Sequence, residues 1–408
     1  MKSLSSVRLG DVTELISSGS TPIGGDQNYT TDGPVMFVRS QNVRMNSLDL
    51  SDVVYVSNEI HKVMKRTHLR EGDVLLNITG ASIGRVAPFM LKNIEANVNQ
   101  HVCIIRVKPS VLSPKYLSYF LSSPRTQSEI AGMQRGGTRQ ALTFGQIADF
   151  VIPAPSLQEQ LRISEILNAA VSLCESRKQA IEILLHLGRS LFIDMFGDPA
   201  TNPQKWHREQ IVNLCLKIVD CPHSTPKYSE TVTSYPCIRS SDIQDGQLVW
   251  ESTKYVDEDE YQARIRRHRP QVGDVIYCRE GARFGNAAVI PPNCTPCLGQ
   301  RTMLLTADGS NATGEFLSFL LNSKSVYKQI QLLAGGSASP HVNVGDVKKL
   351  TVFVPPIELQ RRFSERLRSI GTLTETSVRQ SALFDNLFDT LLARSFDEAF
   401  IAREQACV

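Results

Sequence analysis

Val38-Arg39-Ser40-Gln41-Asn42-Val43 recurs two hundred residues later as Ile238-Arg239-Ser240-Ser241-Asp242-Ile243, and Tyr55-Val56 recurs at the same offset as Tyr255-Val256. Gly72-Asp73-Val74 returns as Gly273-Asp274-Val275, and Gly80-Ala81-Ser82-Ile83-Gly84 as Gly281-Ala282-Arg283-Phe284-Gly285, one residue out of phase, as a single-residue loop insertion would leave them. The original offset is restored in Tyr116-Leu117-Ser118-Tyr119-Phe120-Leu121 against Phe316-Leu317-Ser318-Phe319-Leu320-Leu321. It holds again in Pro155-Ser156-Leu157-Gln158-Glu159-Gln160-Leu161-Arg162-Ile163 against Pro355-Pro356-Ile357-Glu358-Leu359-Gln360-Arg361-Arg362-Phe363. Solenoid repeats run to roughly 20–50 residues, so a period this long makes each copy a complete domain with its own tail. The chain of 408 residues is therefore an internal duplication with pseudo-two-fold character. Such a molecule suits a partner that is itself roughly two-fold, as duplex DNA is; a duplication without a symmetric target would leave the same pattern.

Each copy opens with short β-branched and aromatic runs broken by Gly, Pro, Asn and Asp, such as Pro34-Val35-Met36-Phe37-Val38 and Asp73-Val74-Leu75-Leu76-Asn77. These runs predict strands of a loop-rich α+β domain, followed by a short helix at Pro114 to Leu121 and again at Gly314 to Leu321. After Pro155 and Pro355 the texture changes to long segments whose only glycines before the linker are Gly188 and Gly371, and a proline ahead of a helical run is a start signal. In the first copy Leu167, Ala170, Cys174, Ile181, Leu184, Leu191 and Met195 follow a heptad seam interrupted by Arg177 and Gly188. That spacing predicts a helix over roughly Leu157 to Phe196, about 60 Å long at about 1.5 Å per residue. The second copy carries a looser stripe of Phe363, Leu367, Ile370, Leu373, Phe384, Phe388 and Leu391. Helices of this length need their apolar stripe buried, which an antiparallel coiled coil between the two supplies; packing each stripe on its own globular half is the alternative. The expected boundaries are globular domains at 1–155 and 199–355, and helical segments at 156–198 and 356–408.

With 41% hydrophobic and 21% charged residues the composition is that of a globular protein with material for more than one core, which excludes intrinsic disorder. No apolar run approaches the roughly 18–20 residues of a membrane span, and Met1 to Ser6 lead into a charged segment without a signal-type stretch, so a cytoplasmic location is expected. A net charge of +3 is mild, and any nucleic-acid contact must rest on local patches. Nine cysteines fit reduced cytosolic thiols, and Cys294-Thr295-Pro296-Cys297 lacks the second pair that a zinc site needs, so no metal is expected.

Catalytic signatures are missing. There is no G-x-x-x-x-G-K-[ST] phosphate loop, no HExxH, no nucleophile elbow and no Asp/Asn-Pro-Pro-aromatic tetrapeptide of the amino-methyltransferase kind. Loops rich in Thr, Ser, Gln and Arg recur instead: Gln134-Arg135-Gly136-Gly137-Thr138-Arg139-Gln140 is set against Gly335-Gly336-Ser337-Ala338-Ser339-Pro340-His341. Arg can bond two edge atoms of guanine, and Gln or Asn two of adenine. Candidate DNA-reading residues are accordingly Arg39, Gln41, Thr79, Ser82, Arg85, Gln100, Arg135, Thr138, Arg139 and Gln140 in the first copy. In the second they are Arg239, Arg279, Arg283, Gln300, Ser337, Ser339 and His341. Arg39 and Arg239 recur identically and serve equally well as scaffold. Two matched basic clusters, Lys62, Lys65, Arg66, Arg70 and Arg264, Arg266, Arg267, Arg269, are candidate phosphate contacts, with a solvated helix face holding Glu260–Arg264 as the alternative.

The whole pattern resembles the DNA-specificity subunit of type I restriction–modification enzymes. The resemblance is carried by Ser20-Thr21-Pro22 and Ser224-Thr225-Pro226, the Gly-Asp-Val and Gly-Ala-x-x-Gly segments, Asn99-Gln100 with Gly299-Gln300, and the Gly136-Gly137-Thr138 and Gly335-Gly336-Ser337 loops. To these it adds the Pro-x-x-x-x-Gln-x-Arg helix openings, Met195-Phe196-Gly197-Asp198-Pro199 and Asn202-Pro203-Gln204-Lys205-Trp206. It implies two target-recognition domains, each reading half of a bipartite sequence in double-stranded DNA, with the family's conserved helices pairing as a spacer. It further implies a non-catalytic chain without a cofactor of its own. Two methyltransferase subunits using S-adenosylmethionine would join it, and restriction subunits using ATP and Mg. One departure is Cys221-Pro222-His223 ahead of Ser224, where the first copy has serine and glycine, which puts the equivalence of those opening loops in question.

Overall fold

The computed structural model describes residues 6–22, 24–133, 141–244, 246–281, 283–334 and 340–397. The chain divides into two compact units, Met1–Lys178 with Arg379–Val408, and Gln179–Val378. Each unit takes one globular part and a portion of both long helices, so the cut falls within the helices rather than at their ends.

In the first unit a four-stranded antiparallel sheet has the order Thr13–Ser18, Val102–Val107, Asp73–Asn77, Val86–Phe89. A three-stranded sheet is formed by Val54–Val56, Val35–Val38 and Ala96–Val98, the last pair parallel. Side chains of the central strand alternate between two cores, as the period of two demands. Val74 and Leu76 pack with Ile105, Leu117 and Leu121 under the helix Pro114–Ser122, whereas Leu75 faces Met36, Val38 and Ile104 beneath the smaller sheet. Burial of both faces explains why Val74-Leu75-Leu76 reads as a continuous apolar run. The second unit repeats this arrangement with Cys215–Asp220, Thr302–Ala307, Val275–Cys278 and Ala287–Val289, beside Lys254–Tyr255, Pro236–Ile238 and Cys297–Leu298. Here Val275 and Tyr277 enter one core, and Ile276 and Cys278 the other.

The long helices run over Leu157–Phe196 and Ile357–Ser395. Both begin with a glutamine sealed into the globular part. Gln160 is fully buried; its Oε1 accepts from Ser113 N at 2.8 Å, and its Nε2 donates to the carbonyls of Val111 and Pro155, each at 3.0 Å. Gln360 does the same with Thr313 N (3.1 Å), Asn311 O (2.8 Å) and Pro355 O (2.9 Å). The proline-to-glutamine spacing of the motif is thus a staple between helix and domain.

The helices pair antiparallel within each unit. In the first, Leu167 from the start of one helix shares the interior with Phe388, Leu391 and Leu392 from the end of the other, and Cys174 is buried one step further along. In the second, Phe192 and Phe196 meet Phe363 with ring centroids 5.6 and 5.2 Å apart. Ala170, Ile181, Leu184, Leu191, Met195, Leu367, Ile370 and Phe384 are half-buried along the stripe. Both interruptions have partners: Arg177 stacks over Phe384 at 5.4 Å and donates to Gln380, and Gly188 leaves room where Leu367 and Phe319 approach to 3.0 and 3.1 Å of a would-be Cβ. Leu373 departs from expectation. It is 57% exposed, and Thr374, Ser377 and Ser381 occupy the inner positions at that level. The first helix ends where Gly197 turns left-handed (φ 82°) and Trp206 Nε1 donates to Phe196 O at 3.0 Å. Among the described residues no helix is long and apolar enough to cross a membrane.

Candidate nucleic-acid interface

In the first unit three loops converge beyond the end of strand Asp73–Asn77. Ile78 donates its N–H to His101 O at 2.9 Å, Leu142 donates to Ile78 O at 3.0 Å, and Thr79 bridges Ala141. Gly19 permits the third loop to sit on the backbone, since a Cβ there would lie 1.8 Å from Val98 O. On this frame Thr21 donates to Gln100 Oε1, and Gln100 Nε2 donates to His101 Nε2 at 3.0 Å. With Nε2 accepting, the ring proton sits on Nδ1, which bonds Thr79 Oγ1. The result is a hydrogen-bonded chain, Thr21–Gln100–His101–Thr79.

The second unit keeps the frame and changes the chemistry. Arg279 donates its N–H to Arg301 O at 3.0 Å, Val342 donates to Arg279 O at 3.0 Å, and Glu280 bridges His341. Gln300 Nε2 donates to Thr225 Oγ1 at 3.2 Å, so Thr21 and Thr225 meet the matched glutamines Gln100 and Gln300, and the opening loops are equivalent despite Cys221-Pro222-His223. Glu280 carries two partners: an ion pair to Arg301 Nε at 3.0 Å and a hydrogen bond from His341 Nδ1 at 3.1 Å. His341 Nε2 lies 3.1 Å from Asn343 Oδ1, and Arg279 Nη1 lies 3.4 Å from His341 Nδ1. Beneath them Arg279 Nε approaches Asp220 at 3.0 Å without hydrogen-bond alignment, and Asp220 also pairs with His223 at 3.3 Å. The bridges make Ala141 the counterpart of His341, which corrects the sequence pairing of His341 with Gln140.

The structure sorts the remaining candidates. Arg39 and Arg239 brace loops: Arg39 Nη2 donates to Asp52 O at 2.7 Å, and Arg239 grips the fully buried Asp242 and donates to Ser252 O at 2.6 Å. The Arg264 side chain is 1% exposed, paired with Glu260 at 3.2 Å and donating to Leu298 O at 2.8 Å. A guanidinium so enclosed has no face left for a phosphate, which corrects its expected role. Arg279 is likewise buried and acts behind His341. Gln41 donates to Asp52 and Ser82 Oγ accepts from Asn77, both beside the cluster's supporting loops; Arg85 is half-buried, and Arg283 is exposed and donates to Gln244 Oε1 at 2.9 Å. Lys62, Lys65, Arg66, Arg70, Arg266, Arg267 and Arg269 are exposed. Arg135, Thr138, Arg139, Gln140, Ser337 and Ser339 lie outside the described residues. His101, Glu280, Arg301, Asp220, His223 and Asn343 belong to the cluster and are missing from the sequence-based set. The signal for them was the constant Gln100 and Gln300 followed by different residues, His101 and Arg301. Among the described residues no group of three or more His, Cys, Asp or Glu side chains could hold a metal ion.

The two units repeat one fold, each with a share of the paired helices and a polar cluster on the same backbone frame. The model of the type I restriction modification DNA specificity domain matches residues 1–184 and 224–381, and the chain belongs to that family. It is 20% identical to the EcoKI specificity subunit of Escherichia coli K12, over 93% of this chain and 85% of the relative. It is 24% identical to the MjaIX specificity subunit of Methanocaldococcus jannaschii, over 95% and 91%. Among solved structures the fold is shared with a chain studied for complex assembly and conformational transition of the type I R–M system (TM-score 0.59, 17% identity, 97% and 98% covered). It is also shared with the S subunit of M. genitalium (TM-score 0.57, 15% identity, 96% of each covered).

Proposed function

We propose that this chain is the non-catalytic, sequence-reading subunit of a type I restriction–modification enzyme in the cytoplasm, each unit reading one half of a bipartite target in double-stranded DNA. The observation that carries this reading is the pair of polar clusters built on one repeated backbone frame but lined with different side chains. Two readers of different half-sites need that combination of shared scaffold and different contacts. The helix pair, of which each unit holds a portion, sets the spacing of the half-sites. Exposed Leu161, Ile166 and Leu173 in the first unit, and Ile183 and Leu187 in the second, offer apolar surface to two methyltransferase subunits. Those partners carry S-adenosylmethionine for adenine methylation, and restriction subunits carry ATP and Mg.

Methylome sequencing of a host carrying this chain with its methyltransferase tests the reading. A bipartite adenine motif is expected, lost on deletion of residues 8–150 and respaced when whole turns are inserted into both helices. Methylation that ignores the deletion would leave a protein scaffold without a role in recognition. Methyl transfer by the purified chain alone would make it an enzyme.

A further inference from the structure

Among the matched positions at which the two clusters differ are Thr79 against Glu280, His101 against Arg301, and Ala141 against His341. We propose that these positions determine half-site specificity, and that in the second unit Arg301 and Glu280 read one G·C base pair; this rests on the DNA-reading role proposed above.

Arg301 and Glu280 do little for the fold. Their side chains are 58% and 29% exposed, and an ion pair so open to water contributes little to stability. Arg301 nevertheless holds a left-handed backbone (φ 68°), uncommon for a residue with a side chain and maintained only where the surroundings enforce it. Such conformations concentrate at functional sites. The chemistry selects the base pair. The ion pair engages Arg301 through Nε, which leaves both terminal nitrogens for guanine O6 and N7. A carboxylate only accepts, and the amino group that cytosine N4 presents on the same major-groove edge is the donor it suits. Both contacts can form with the Arg301–Glu280 pair intact, so the reader is pre-organised. His341 Nδ1 donates to the second carboxylate oxygen at 3.1 Å, and Arg279 lies buried behind it where the first unit has Ile78. In the first unit Thr79 and His101 carry no fixed charge, so the same G·C reader is not available there.

The assembled complex of this chain with its methyltransferase subunits provides the test. In host methylomes, Arg301→Gln and Glu280→Gln should each relax one G·C position in one half of the motif by about five- to one-hundred-fold, the discrimination of a bidentate contact, with the other half unchanged. Undiminished fidelity in both variants would overturn the proposal while leaving a DNA-reading subunit in place. Should the variants lose methylation altogether, the wild-type complex decides. Replacing guanines of the target one at a time by 7-deazaguanine should weaken binding at one position by at least about five-fold, and no loss at any guanine would overturn the assignment. Failure of the wild-type chain to yield any bipartite motif would instead remove the DNA-reading role itself.

Discussion

Replacing Gln160 by leucine tests whether the glutamine staple holds the first helix to its domain. Leucine nearly conserves volume, so the perturbation is chiefly the loss of three hydrogen bonds. Ser113 N–H and Pro155 C=O are buried and would be orphaned, and Val111 C=O is only partly enclosed. At about 1–3 kcal/mol for each buried orphan the cost is about 2–6 kcal/mol, and leucine's favourable burial of about 2 kcal/mol offsets part of it. A net loss of up to about 4 kcal/mol, centred near about 2 kcal/mol, is expected. Two units with separate cores do not support a single two-state ΔG, so the readout has to be local. Hydrogen–deuterium exchange of the segment containing Ser113 should speed up by about 30-fold, and by no more than about 700-fold, at about 1.4 kcal/mol per factor of ten. The peptide containing Thr313, held by Gln360, should keep its wild-type rate, and Gln360→Leu should reverse the pattern. Wild-type protection of Ser113 in the Gln160→Leu variant would refute the staple.

Three further outcomes are expected. Phe192→Ala removes a ring that stacks with Phe316 and Phe319 and meets Phe196 and Phe363 edge-on, and should cost the second unit about 3–5 kcal/mol, read locally by hydrogen–deuterium exchange of its buried amides. The neighbouring Ile193→Ala, at a position 44% exposed, should stay within about 0.5 kcal/mol. Burial pushes the Cys103 and Cys278 thiols up to about 12 from an ordinary value near 9, so the folded chain keeps protons that the unfolded chain releases. Stability should then fall as pH rises from about 9 towards about 12, and both thiols should resist alkylation at pH 8 until the chain is unfolded, as mass spectrometry can show. Lys62, Lys65, Arg66 and Arg70 are exposed; removing two of them should lower the salt slope of DNA binding by the assembled complex by about 2 if both contact phosphates, without altering the motif. An unchanged slope would return them to the solvated surface.

Features written in local pattern were legible without the fold. The duplication, the extents of the long helices and most of their seam follow from self-similarity and from a hydrophobic period that any amphipathic helix must show. The pattern failed at Leu373, where threonine and serine occupy the interior and leave an apolar residue outside, because periodicity reports side-chain type and not the surface it meets. It also could not assign the arginines. Arg264 and Arg301 both stand in polar surroundings in the sequence, yet one is sealed against Glu260 and Leu298 O while the other stands exposed beside Glu280.

The sequence by itself determined that this is a twice-repeated α+β chain with two pairing helices and a resemblance to DNA-specificity subunits. Those properties are encoded by residues close in the chain or at a constant offset. Only the tertiary structure decided which polar residues act together. Thr79, the Gln100-His101 pair and Ala141, like Glu280, the Gln300-Arg301 pair and His341, come from loops tens of residues apart and meet because the sheet order places those loops at one strand end, a juxtaposition that no local propensity records.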